Sequence, residues 1–141
     1  MSQHEPDSPD ASESLQELIF LALDHGIGSI QRGGPLIPFV LVDGTDGERD
    51  IKRFMADDLE HAQAAAREHL RGLAGAERVA LAYDGYLTVD GDRSDAVLVE
   101  AQELGQGVAL RFAQRYRPGG RLRTLKTIGN AAYLGSAEPL L

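Results

Sequence analysis

The chain contains no cysteine, which removes disulfides, thiolate metal sites and a cysteine nucleophile, and fits a cytoplasmic protein. It also lacks any long apolar run. The longest, around Ile19 and Phe39, fall far short of the roughly 18 residues that span a bilayer, so neither a membrane span nor a membrane partner is expected. The opening MSQHEPDSPDASES is acidic and has no basic region leading into an apolar core, so it reads as neither a secretory signal nor a transit peptide. Acid is missing from Leu104 to Ala137, a stretch that carries Arg111, Arg115, Arg117, Arg121, Arg123 and Lys126 within a chain of formal net charge -8. The simplest account is that this basic stretch packs against the acidic body and is neutralised by it. The overall negative charge disfavours general nucleic-acid binding.

What is present describes a single domain. At 141 residues, with 43% hydrophobic and 26% charged side chains, the chain suffices for one core and is too short for two ordinary ones. Residues 1–13, rich in Ser, Pro, Asp and Glu, read as a disordered acidic tail, and 14–141 as one α+β domain. Leu15, Leu18, Ile19 and Ala22 recur at helical spacing, and Gly26 stands where a helix stops. Phe20, Leu21 and Leu23 make this helix apolar around much of its circumference, which calls for a covering surface from this chain or from a partner. Leu36 to Val42 is a buried-strand run, and Arg49 to Met55 returns as a more polar strand. From Asp57 a second helix follows, with Ala62, Ala66 and Leu70 on one face.

The organising stretch is 78–117, where apolar residues alternate along three strands: Val79, Leu81, Tyr83; then Val97, Val99, Ala101; then Leu110 and Phe112. Asp90-Gly91-Asp92-Arg93-Ser94 and Gly105-Gln106-Gly107 have the chemistry of reversals. The order along the chain is therefore α-β-β-α-β-β-β: a mainly antiparallel sheet of about five strands with helices packed on it, followed by an irregular basic extension over 118–141.

Hinging the first of these reversals near Arg93 sets Asp84 opposite Gln102 and Tyr86 opposite Glu100. Hinging the second between Gly105 and Gln106 sets Glu100 opposite Arg111 and Ala96 opposite Arg115. On that register Asp84, Tyr86, Glu100, Gln102, Arg111 and Arg115 form a polar stripe edged with alanine, opposite a core face of Val79, Leu81, Val97, Val99, Leu110 and Phe112. The stripe reads in three ways: a solvated sheet face with an exposed ion pair, a binding surface for a protein partner or a second copy, or an acidic site in which Asp84 and Glu100 serve a metal-assisted hydrolase.

Sharper motifs fail on their spacing. The Asp95, Glu100, Gln102 run resembles the acidic strand of restriction-type nucleases, but Gln102 stands where lysine belongs, and Asp95 and Glu100 differ in strand parity. Asp90, Asp92 and Ser94 begin like a calcium loop that lacks the required glycine and terminal glutamate. GIGSIQRGGP follows a helix, so its glycines offer a phosphate no helix N-terminus. His61 and His69 are too far apart to chelate one metal without a third element. No cofactor is implied. The expectation is a non-enzymatic protein-interaction or dimerisation module, with nuclease-like chemistry at Asp84 and Glu100 as the alternative, and anion contact through Arg117, Arg121, Arg123 and Lys126 as a further one.

Overall fold

The computed structural model describes residues 11–33, 35–119 and 125–141. The disorder expected of the acidic tail therefore falls mostly outside the described residues, as do Arg121 and Arg123. Eight elements follow in order: α1 (Glu13–Gln31), β1 (Phe39–Gly44), β2 (Arg49–Arg53), α2 (Leu59–Arg71), β3 (Ala76–Val89), β4 (Asp92–Glu103), β5 (Ala109–Arg117) and β6 (Lys126–Ala137). The strands form one antiparallel sheet in the order β2-β1-β3-β4-β5-β6, so α2 carries the chain from β2 across β1 to β3. The α+β class holds, with six strands where about five were expected. The sixth, β6, lies in the extension read as irregular. Its register against β5 breaks near Phe112 and again near Gln114, and Gly129 (φ 64°) and Gly135 (φ 109°) take left-handed conformations in it. These irregularities erase the period-two signal that marks the other strands. The Gln114 side-chain amide donates to the carbonyl of Gly129 at 3.1 Å, satisfying a backbone group in the distorted stretch.

Helix α1 is capped by Ser12, whose Oγ accepts from the Leu15 amide. It runs past Gly26, the expected stop, to Gln31. A Cβ on Gly26 would lie 2.8 Å from Cγ1 of Val97, so this glycine lets the helix approach the sheet closely instead of ending it. Leu15, Leu18, Ile19, Ala22 and Leu23 bury against Ala80, Ala82, Val97, Val99 and Leu110, so the chain itself covers this face of α1, while Phe20 and Leu21 stay exposed. Helix α2 starts one residue later than the Asp57 cap predicts, at Asp58, which accepts from the His61 amide. Its Ala62, Ala66 and Leu70 pack with Val40, Val79, Leu81, Tyr83 and Leu140 on the opposite face. The two helices thus sandwich the sheet and give it two cores.

This arrangement corrects the expected register. The β3–β4 turn is only Asp90-Gly91, with φ of 51° and 78°, the pair of left-handed residues that a two-residue hairpin needs. Asp84 therefore pairs with Val97, and Tyr86 with Asp95, instead of with Gln102 and Glu100. The shift is by an odd number of residues, so every side chain of β3 changes face relative to the expected pairing. Val79 and Leu81 point toward α2, while Val97, Val99, Leu110 and Phe112 point toward α1. The β4–β5 register is as expected, with Glu100 opposite Arg111 and Ala96 opposite Arg115.

Candidate functional site

The expected polar stripe separates into two groups on opposite sides of the sheet. Glu100, Gln102, Arg111 and Arg115 lie on the α2 side, and Asp84 and Tyr86 lie on the α1 side. A metal shared by Asp84 and Glu100 is therefore geometrically excluded. Among the described residues, no group of three or more His, Asp or Glu side chains is placed to hold a metal ion.

Glu100 is 1% exposed. Arg67 of α2 meets it with two parallel hydrogen bonds, Nη1 to Oε1 at 2.7 Å and Nη2 to Oε2 at 2.8 Å. Tyr83 Oη donates to Oε2 at 2.5 Å, and Arg111 Nη2 donates to the same oxygen at 3.2 Å. Burial works against the charge, but the Arg67 and Tyr83 hydrogen bonds and the two guanidinium charges outweigh it, holding the Glu100 carboxyl below its ordinary value. The same burial, with the carboxylate beside it, pushes the Tyr83 phenol up to about 12. A carboxylate with four donors already on it, ionised and out of water, is suited neither to proton transfer nor to ligating an added cation. The ion pair foreseen on a solvated face is instead the centre of a buried network that ties α2 to three strands.

Gln102, also buried, serves the chain's own backbone. Its Oε1 accepts from the amides of Leu140 at 2.6 Å and Leu141 at 3.0 Å, and its Nε2 donates to the Gln106 carbonyl at 2.7 Å. These bonds seat Leu140, 2% exposed, in the core beneath α2.

On the α1 side, Asp84 accepts from Tyr116 Oη at 2.9 Å, and no arginine or lysine among the described residues pairs with it. Burial raises the Asp84 pKa, the Tyr116 bond opposes this, and the nearby Asp95 adds to the rise. Burial and the Asp84 bond likewise raise the Tyr116 pKa. Tyr116 and Asp95 face a cleft of about 290 Å³ near the β3–β4 turn, with Tyr86 at its mouth and the Arg93 guanidinium 3.9 Å from the Tyr86 ring centre. That stacking already occupies the exposed aromatic face with a cation from the same chain.

A larger groove of about 560 Å³ runs between α1 and the distorted part of β6. Phe20, Leu23, Ile27 and Ala131 give it an apolar side, and Asp24, Gln114, Thr127 and Asn130 a polar one. Phe20 is 52% exposed, and Glu13, Glu17 and Asp24 are exposed along the outer crest of the same helix.

The sequence pointed to Glu100, Gln102, Arg111 and Arg115 but missed Arg67 and Tyr83, which complete the Glu100 network. Tyr83 shares the period-two pattern of Val79 and Leu81 and so reads as core; Arg67 sits on the alanine-rich helix, where nothing local marks it. The histidines stay apart from both groups. Exposed His61 bonds Asp58, which raises its pKa, while burial and nearby arginines lower that of His25. No described helix is long and apolar enough to cross a membrane. Comparison with known proteins gives no match to a family model, a curated protein or a solved structure.

Proposed function

We propose that this chain is a protein-interaction module that works by docking and not by catalysis. The observation that carries the reading is Phe20, a large aromatic half out in water at the lip of the α1–β6 groove, with Leu21 beside it also exposed, while Leu15, Leu18, Ile19, Ala22 and Leu23 of the same helix are buried. The saturated Glu100 supports it, because the most deeply buried carboxylate of the sheet is fully engaged in holding the fold together.

The chemistry of the partner follows from charge. Glu13, Glu17 and Asp24 line the crest of α1 beside Phe20, and the helix itself carries no lysine or arginine. A second copy docking through the same face would set acid against acid, whereas a segment with an apolar anchor flanked by lysine or arginine meets both features. The occupant is therefore a basic amphipathic segment of another protein.

The test is a pair of designed helical peptides with the same leucine face, one rich in lysine and one in glutamate, titrated into the isotopically labelled protein. Shifts confined to Phe20, Leu23, Asp24, Ile27 and Ala131 with the lysine peptide alone, abolished by Phe20→Ser, are expected. Equal response to both peptides, or none to either, would overturn the reading. Light scattering over a dilution series separates the remaining occupant: a dimer that Phe20→Ser dissociates would put a second copy in the groove.

A further inference from the structure

On the opposite side of the sheet, three cations lie at the end of the β5–β6 hairpin where the chain connects the two strands. Arg115 and Arg117 are alternate residues of β5, so they share a face about 6.6 Å apart along the strand. Lys126 lies directly across from Arg117 in the β5–β6 ladder. Like charges placed opposite each other destabilise a strand pair unless a counter-charge sits between them. Among the described residues Arg115, Arg117 and Lys126 make no ion pair and β5 and β6 contain no acid; Arg117 shares a cleft with Asp92 and Asp95 of β4 without bonding either. Arg111 continues the row on the same face, where Glu100 engages it. One Arg111 nitrogen, Nε, is buried with no hydrogen-bond partner.

Arg115 also lies beside the irregular part of β6. Gly129 holds a left-handed φ of 64°, and a Cβ there would come 3.7 Å from Nη2 of Arg115. The guanidinium thus lies against the distorted strand at ordinary van der Waals distance, and the left-handed φ is what favours glycine there.

We infer that Arg115, Arg117 and Lys126 form a binding site for a compact polyanion of the oligophosphate class, a surface separate from the α1–β6 groove. Arginine supplies paired donors that match phosphate oxygens, and the three cations fall within the span of two or three linked phosphates. A long polyanion is disfavoured because it would extend past the basic row toward a body whose net charge of -8 repels it.

Calorimetric titration with tripolyphosphate tests the site on the full chain. One-to-one binding is expected, weakening several-fold between about 50 and 200 mM salt as screening and ion release grow. The double variant Arg115→Gln, Arg117→Gln should lose at least about tenfold in affinity, the scale of one or two charge-assisted bonds. Its melting curve should be unchanged or slightly raised, since the like-charge pair is relieved. Phe20→Ser should bind tripolyphosphate as the parent does, which keeps this site distinct from the groove. Citrate binding to the parent alone would support a compact-anion site that accepts carboxylates as well. No binding, binding unaffected by the double variant, or tighter binding of a single-stranded oligonucleotide than of tripolyphosphate would overturn the proposal.

Discussion

Glu100 and Asp84 are carboxylates on neighbouring strands of one sheet, and they meet opposite fates. Glu100 faces α2, where Arg67 and Arg111 bring cations and Tyr83 a hydroxyl; its charge is stabilised in spite of burial. Asp84 faces the α1 side, where burial and the charge of Asp95 act against its ionised form and its hydrogen-bond partner is the neutral Tyr116; its charge is disfavoured. Burial raises both carboxyl pKa values, so the difference lies in the partners alone. One carboxylate is part of the framework, and the other is a small local cost.

The largest effect expected is on the Glu100 side. Glu100→Ala leaves Arg67 and Arg111 without their counter-charge and opens a void among Tyr83, α2 and the sheet. Removing one member of a buried ion pair costs about 3–5 kcal/mol, and the lower end applies here because both arginines can turn outward to water. Chemical denaturation should show a loss of about 3 kcal/mol; a loss below about 1 kcal/mol would reduce the network to the level of a surface pair. Asp84→Asn should do the reverse. The amide oxygen still accepts from Tyr116 while the buried charge is gone, so stability at neutral pH should rise by up to about 0.5 kcal/mol, the scale of a mild substitution. Protonated Asp84 resembles asparagine, so the gain should vanish in acid.

The pH dependence has opposite signs for the two groups. Folding lowers the Glu100 pKa, so its contribution is fully present above the ordinary value of 4.5 and is lost as pH falls through the lower folded value. Folding raises the Asp84 pKa, so its penalty is present at neutral pH and is relieved as pH falls through the raised value toward 3.8.

Much of the framework was legible from alternation and capping: both helices, the three-strand meander and the Glu100–Arg111 pairing follow from local pattern. What the sequence concealed turns on backbone details of a few residues. Asp90 adopts a left-handed φ that glycine normally takes, so the hairpin turns between Asp90 and Gly91 and not at Arg93, the partner of Asp84 shifts by five residues from Gln102 to Val97, and Asp84 moves to the other face. Gly26 looked like a helix stop because the same lack of a side chain serves both termination and close packing; only Val97, far away in sequence, decides between them. β6 was hidden by its glycine-containing irregularities, and Arg67 by its distance along the chain from Glu100. Alternation reports which residues share a face, but not how one strand registers against the next.

The most direct test of this contrast is a carbon-detected NMR titration of the two side-chain carboxyls, with Asp84→Asn to assign the Asp84 signal. The account predicts a Glu100 midpoint below 4.5 and an Asp84 midpoint above 3.8 in the same sample. A Glu100 midpoint at or above 4.5, or an Asp84 midpoint at or below 3.8, would contradict it.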